Sequence, residues 1–136
     1  QHWGIEAELT RLDGEYDLNF LAKGADGRGF ILKAMRPGCE TWLVDMQVKA
    51  FEHIAARQPD LPCPRVIASA DGQPLLTLPD EDGQDRLVWL LNQLPGRCYA
   101  KAEPKSDALL HEIGQVLGPG LTRTMTLRGL RCAWAL

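Results

Sequence analysis

A single lysine stands inside an apolar, strand-like segment, Gly29-Phe30-Ile31-Leu32-Lys33-Ala34-Met35. Alternate side chains of an extended strand share a face, so Lys33 is expected on the same side as Ile31 and Met35. Burying an ammonium group without an anion is costly. The segment therefore predicts a phosphate or a carboxylate beside Lys33. The alternative interpretation is an edge lysine whose aliphatic stem packs while its charge reaches water, and this segment alone leaves both open.

The segments around Lys33 predict a largely antiparallel sheet. Asp13-Gly14 and Asp26-Gly27 are turn dipeptides between strand-like runs, and Asp26-Gly27 is the strongest hairpin signal in the chain. Leu78 to Asp85, with Pro79 and Asp82-Gly83, is predicted to be a second hairpin loop. We expect five strands, at about residues 5–12, 15–23 (entered through a loop), 29–35, 65–70 and 86–94.

Two stretches change to helical periodicity. From about residue 40 to 56, one apolar stripe carries an amide in the middle: Leu43, Gln47, Ala50, Phe51 and Ile54. Gln47 is therefore predicted to turn toward the sheet. A second helix is predicted from about Ala108 to Leu117, capped by Ser106-Asp107 and ended by Gly118-Pro119-Gly120.

Composition limits the class of protein. The 136 residues, 45% of them hydrophobic, are enough for one domain with one core. The net charge of -3 argues against a nucleic-acid binder, and no stretch has the roughly 18 apolar residues of a membrane span. Cys39, Cys63, Cys98 and Cys132 lack the spacing of a zinc site or a disulfide framework. We therefore expect a soluble, cytoplasmic protein without a metal site of its own.

Five segments of the chain resemble a known family when they are taken together, in this order and at this spacing. No single one of them is specific by itself. They are Gly14-Glu15-Tyr16-Asp17-Leu18-Asn19-Phe20, Gly29-Phe30-Ile31-Leu32-Lys33, Asp45-Met46-Gln47 through Phe51-Glu52-His53-Ile54, Leu61-Pro62-Cys63-Pro64-Arg65-Val66, and Leu90-Leu91-Asn92-Gln93-Leu94-Pro95-Gly96-Arg97. Together they resemble the N-terminal lobe of the aminoglycoside phosphotransferase and choline kinase-like family, and in particular its hydroxylysine-kinase-like branch. The resemblance implies an α+β, protein-kinase-like lobe: a five-stranded antiparallel sheet with an inserted helix. It covers roughly residues 4–118, so we expect a lobe at 1–118 and a tail, or the start of a missing C-terminal lobe, at 119–136.

The resemblance also implies site residues for a nucleotide, ATP. Lys33 matches the strand lysine that contacts the α and β phosphates. Its usual helix partner is Glu, but the matching residue here is Gln47, with Asp45 as a less well-placed substitute. Residues 15–19, ending in Asn19, match the phosphate-covering loop, although its G-x-G-x-x-G motif is absent.

A hinge that binds the adenine edge completes the implied site. It comprises Leu91, Asn92, Gln93 and Leu94. Ile31, Leu90 and the wall around Val66 are expected to sandwich the ring.

The catalytic elements of such a kinase are missing from this sequence. No His is followed two residues later by Asp, and no acidic residue follows Glu112. We therefore predict no catalytic residue here, and magnesium only with the missing lobe. Three interpretations remain: an ATP-binding lobe of a small-molecule phosphotransferase, with a C-terminal lobe or fused domain as partner; a non-catalytic, kinase-like regulatory module that binds a protein partner; or an α+β interaction domain whose likeness to kinases is architectural. An exposed apolar surface, at the end of the Leu90 strand and on the Ala108 helix, is expected to favour dimers.

Overall fold

The computed structural model describes residues 2–96, 99 and 103–124. This part of the chain contains β1 (Ala7–Leu12), β2 (Leu18–Gly24), β3 (Gly29–Ala34), α1 (Thr41–Arg57), β4 (Val66–Ile67), β5 (Leu76–Pro79), β6 (Asp85–Asn92) and α2 (Asp107–Thr124). All strand pairs are antiparallel, in the order β1-β2-β3-β6-β4, and β5 also pairs with β6. The predicted α+β class, an antiparallel sheet with a helix inserted after the third strand, is confirmed.

The Asp26-Gly27 hairpin forms as predicted and sets the register of β2 on β3. Gly27 has φ +80°, a conformation that glycine adopts without strain, and the Asp26 carboxylate accepts a hydrogen bond from the Arg28 N–H at 3.0 Å. The resulting register places Asn19 opposite Lys33. On its other side, β3 pairs with β6, so that Lys33 lies opposite Trp89.

The main core lies between one face of the sheet and α1. It consists of Met35, Val44, Val48, Leu87, Trp89 and Leu91, with Ile31, Cys39, Phe51, Val66 and Leu75 packed around it. Lys33 lies between Ile31 and Met35 along β3, so the alternation of the strand places it on this face. Met35 belongs to this core and Ile31 packs against it, which agrees with the predicted common face of Ile31, Lys33 and Met35.

The opposite face of the sheet is covered by the amino-terminal segment. Ala22, Phe30 and Leu90 form a second core cluster with Trp3, Ile5 and others. The Trp3 indole donates a hydrogen bond to the Ile67 carbonyl at 2.9 Å, which fastens the segment to the sheet. Leu90 is therefore covered, at 4% exposure, whereas Leu94, just after the end of the strand, is 37% exposed.

The buried stripe of α1 is rotated by one residue from the predicted one. Val44 and Val48 are the most deeply buried side chains of the helix, at 0% and 2% exposure, whereas Leu43 and Gln47 are half-buried. Both pairs are spaced by four residues, and the helix buries the pair that is apolar at both positions. Gln47 accordingly lies at the border of the buried stripe.

Two strands differ from the prediction in number or length. Leu76–Pro79, partly assigned to a hairpin loop, is a short strand paired with β6. Pro79 is tolerated because β5 lies at the edge of the sheet, where a missing N–H removes no ladder bond. The fourth predicted strand, 65–70, shrinks to Val66–Ile67 because Ser69 and Ala70 bond outside the ladder, to Gln73 and His2.

The second helix begins as predicted but extends further. The Ser106 hydroxyl accepts a hydrogen bond from the Leu109 N–H at 3.2 Å, as an N-cap residue does. The predicted end at Gly118-Pro119-Gly120 is wrong, since α2 continues to Thr124. Neither described helix has the length and apolarity that crossing a bilayer requires. The division of the chain at residue 118 stays a prediction, and residues 125–136, Cys98 and Cys132 lie outside the described residues.

Candidate functional site

Lys33 lies near the centre of the sheet face that packs on α1. Its cross-strand neighbours are Asn19 on β2 and Trp89 on β6. The Lys33 ammonium group lies 5.5 Å from the centroid of the Trp89 ring, within the range of a cation–π contact. No carboxylate forms an ion pair with Lys33 within the described residues. Lys33 is thus a half-buried cation with an aromatic neighbour and no anion.

The helix α1 supplies no charge to Lys33. The Gln47 side chain, at the place where the resemblance implies a Glu, forms no hydrogen bond within the described chain. The Asp45 carboxylate accepts from the Lys49 ammonium at 2.6 Å, an i,i+4 pair on the exposed side of the helix. Asp45 is therefore engaged elsewhere, and the structure does not join it to Lys33.

The loop between β1 and β2 is tied to the end of β3. The Asp17 carboxylate accepts a hydrogen bond from the Arg36 N–H at 2.9 Å, across 19 residues of sequence. The Asn19 amide lies close to Gly14, where a Cβ would stand 2.7 Å from its Nδ2. Tyr16, at the tip of this loop, is 74% exposed. The loop is thereby held over the strand that carries Lys33, with a free aromatic side chain at its tip.

Two residues of the hinge implied by the resemblance, Asn92 and Gln93, form hydrogen bonds to other parts of the chain. The Asn92 side chain accepts from the Arg65 N–H at 2.5 Å, and the Asn92 N–H donates to the Arg65 carbonyl at 3.1 Å. The Gln93 N–H donates to the Gly29 carbonyl at 2.9 Å. The Leu94 N–H has no acceptor within the described chain. Leu94 is therefore the hinge residue with a backbone donor available to a ligand.

The apolar walls of the site come from three strands. Ile31 and Leu91 are cross-strand partners, and Val66 pairs with Leu91 from the other side. All three border the core beneath the sheet. Leu90, expected in this wall, points to the opposite face because it pairs with Leu32. The expectation for Leu90 is wrong, and Leu91 takes its place beside Ile31.

This chain matches known proteins by structure and not by sequence. No protein-family profile matches this chain, and no curated protein is significantly similar to it. An amicoumacin kinase, hAmiN, solved with AMP-PNP, Ca2+ and Ami, superposes with a TM-score of 0.76 at 16% identity, over 96% of this chain and 39% of the kinase. The fold is that of a kinase-like N-terminal lobe. A microcompartment-associated aminopropanol kinase gives a TM-score of 0.61 at 17% identity, over 74% of this chain and 31% of that chain.

These matches confirm the predicted resemblance at the level of the fold. The chain spans about two fifths of the amicoumacin kinase and about a third of the aminopropanol kinase, and it shares with them the fold of a kinase-like lobe. Within that lobe, Lys33, Asn19 and Ile31 meet under the sheet, whereas Asp45 points to another partner.

Sequence reasoning missed two residues at the site. Trp89 packs in the core, and its ring also lies 5.5 Å from the Lys33 ammonium. This contact follows from the register of β3 on β6, and local sequence patterns do not specify that register. Asp17 carried a local signal, an acidic side chain two residues before a candidate site residue. Its partner, the Arg36 N–H, is distant in sequence.

Proposed function

We propose that this chain is the ATP-binding lobe of a small-molecule phosphotransferase acting on an amino alcohol or an aminoglycoside-like acceptor, and that it is not catalytic by itself. The observation that carries the proposal is Lys33, a half-buried cation without an anionic partner in the described chain, on the α1 side of a kinase-like lobe. A phosphate oxygen is the ligand that such a cation lacks.

The other residues of the site fit a nucleotide in a consistent arrangement. Ile31 and Leu91 offer an apolar surface to the adenine ring, and the Leu94 N–H is a donor for its edge. Asn19, beside Lys33 across the strands, would support the phosphates with its amide. Asn92 and Gln93 shape the hinge through their bonds to Arg65 and Gly29 rather than by donating to the ligand.

The groups that would bind magnesium and catalyse phosphoryl transfer are not found together among the described residues. Among the described residues, no cluster of three His, Cys, Asp or Glu side chains could hold a metal ion. The sequence also lacks a His-x-Asp motif. ATP, when bound, would supply the phosphoryl group, while Lys33 would orient and partly neutralise its phosphates. We therefore propose that a second kinase lobe provides the catalytic base and the metal ligands.

The test is calorimetric binding of ATP and of adenosine to the chain and its variants. Lys33→Met removes the cation and should weaken ATP binding about 10- to 100-fold, the equivalent of about 1.5–3 kcal/mol for a charge-assisted hydrogen bond, while adenosine binding stays unchanged. Lys49→Met is the matched control, because Lys49 is exposed and paired with Asp45 on the far side of α1. Equal ATP affinity of the parent and Lys33→Met, or no ATP binding by the parent, would contradict the proposal.

A non-catalytic module that binds a protein partner is the second candidate. The observation in its favour is the set of exposed apolar side chains on α2, Leu110, Val116 and Leu117, which are 49%, 39% and 55% exposed. This candidate predicts a protein partner that binds this surface. A pull-down in which the chain recovers no such partner would decide against it.

A further inference from the structure

The Lys33 ammonium forms no ion pair or side-chain hydrogen bond among the described residues, and an aromatic ring lies beside it. Trp89 lies directly opposite Lys33 in the β3–β6 register. The ammonium lies 5.5 Å from the ring centroid, and Trp89 is 1% exposed, so the ring is fixed in the core. A rigid ring beneath a flexible four-carbon chain can restrict where the amine points.

The neighbouring polar groups do not provide an alternative partner. The Gln47 side chain is neutral and forms no hydrogen bond in the described chain, and Asp45 pairs with Lys49. Asn19, the cross-strand neighbour on the other side, is also neutral and packs its amide against Gly14. Among the described residues, the Lys33 amine therefore has the Trp89 ring beside it and no ion pair.

The choice of an indole at this position supports a role beyond packing. The Trp89 Nε1–H is buried and has no hydrogen-bond acceptor within the described residues. A buried donor without an acceptor destabilises the fold, and a purely apolar side chain carries no such donor. What indole offers in compensation is the most attractive aromatic face for a cation.

We propose that Trp89 is the positioning residue of Lys33, in the role that a carboxylate on the helix would fill. The ring holds the amine beneath the sheet and against the core, pointing away from open water. Its consequence for ATP affinity rests on the proposed function, whereas the contact between amine and ring does not. The two statements are tested by separate measurements.

The contact is tested by NMR of the chain labelled with 13C-lysine. Ring current from Trp89 should displace the Lys33 Hε resonance upfield of the other lysines, and Lys33→Arg identifies the resonance by removing it. Trp89→Leu should return the Lys33 resonance to the position of the exposed lysines, and Trp89→Phe should leave it in between. A Lys33 resonance that coincides with those of exposed lysines in the parent chain overturns the proposal, even where Trp89→Leu does not fold.

Val44→Ala controls for general loosening of the core. Val44 belongs to the same cluster as Trp89 and is 0% exposed, but it has no recorded contact with Lys33. This variant should lower the melting temperature and leave the displaced Lys33 resonance in place. Loss of the displacement in Val44→Ala as well as in Trp89→Leu would show that core packing in general, and not the ring, positions the amine.

The consequence for nucleotide binding is tested by ATP titration. Trp89→Leu should weaken ATP binding about fivefold, which corresponds to roughly 1 kcal/mol, and should have no further effect when Lys33 is already Met. An unchanged ATP affinity in folded Trp89→Leu overturns the positioning role. If the parent chain does not bind ATP, the proposed function fails, and the Lys33 resonance still decides whether the ring holds the amine.

Discussion

Gly29 connects β3 to the hinge, and a single added methyl group there should disturb both. A Cβ on Gly29 would lie 2.9 Å from the Gln93 Cδ and 3.1 Å from the Gln93 Cβ, and closer still to its Oε1. The outer atoms of Gln93 can swing away, since the side chain is exposed. The Gln93 Cβ cannot, because the Gln93 N–H is bonded to the Gly29 carbonyl at 2.9 Å.

The magnitude for Gly29→Ala follows from two opposing effects. Overpacking costs about 1–3 kcal/mol, and we take about 2 because half of the clash can be relieved. Replacing glycine in a strand returns about 0.5–1 kcal/mol through the lower entropy of the unfolded chain. The expected net loss is about 1 kcal/mol of the free energy of unfolding, or about 4 °C in melting temperature for a domain of this size.

Thermal and urea unfolding of four variants would check this reasoning. Gly114→Ala is the matched control, since a Cβ at Gly114 has nothing within 4 Å, and it should gain about 0.5–1 kcal/mol as a helix glycine replaced by alanine. Gln93→Gly alone should cost less than about 1 kcal/mol, and Gln93→Gly combined with Gly29→Ala should show little further loss, because only glycine removes the Gln93 Cβ. Unchanged or increased stability in Gly29→Ala, or no rescue by Gln93→Gly, would refute the argument.

Two further predictions concern aspartate side chains that accept hydrogen bonds within the fold. Asp17→Ala removes the acceptor of the Arg36 N–H and should cost about 1 kcal/mol and speed hydrogen exchange of the Arg36 amide, whereas Asp17→Asn, which keeps an oxygen acceptor, should exchange slowly. The Arg86 side chain, followed by backbone N–H groups, lowers the pKa of the Asp80 carboxyl below its ordinary value of 3.8. Asp80 therefore stabilises the fold at pH values above the ordinary pKa of its carboxyl. This stabilisation is lost as the pH falls through the lower pKa that the carboxyl has in the folded chain. The melting temperature of Asp80→Asn should therefore fall less steeply than that of the parent between about pH 5 and pH 3.

The parts of the fold that the sequence predicts are those decided by local geometry. Asp26-Gly27 predicts its hairpin because the turn requires a residue that accepts a positive φ, and Gly27 has φ +80°. Ser106 predicts a helix start because its hydroxyl can reach the backbone donors of the first turn. These signals lie within a few residues of the structure they specify.

The parts that the sequence does not predict depend on partners that are distant along the chain. Pro79 is a strand breaker by its local pattern, and only the place of β5 at the edge of the sheet makes Pro79 acceptable. Leu43 and Val44 are both apolar, so the sequence does not show which of them α1 buries, and the sheet selects Val44. Local spacing carries no information about which of two apolar stripes meets a sheet.

The candidate site follows the same division. Lys33 was found from its strand, since alternation alone places a charge among apolar residues. Its contact with Trp89 depends on the pairing of β3 with β6, which joins residues separated by more than 50 positions. The engagement of Asp45 by Lys49 was in principle visible, because residues four apart on a helix face each other.

A neutral residue on α1 changes how Lys33 is held before a nucleotide arrives. At an effective dielectric constant of about 20, a carboxylate about 4 Å away would attract the ammonium by about 4 kcal/mol. A cation over an aromatic ring gains about 1 kcal/mol. Under the proposed function, Trp89 would thus orient Lys33 without competing strongly with a phosphate for its charge. A lobe built in this way keeps its cation available, and most of the attraction between Lys33 and the phosphates remains to be gained on binding.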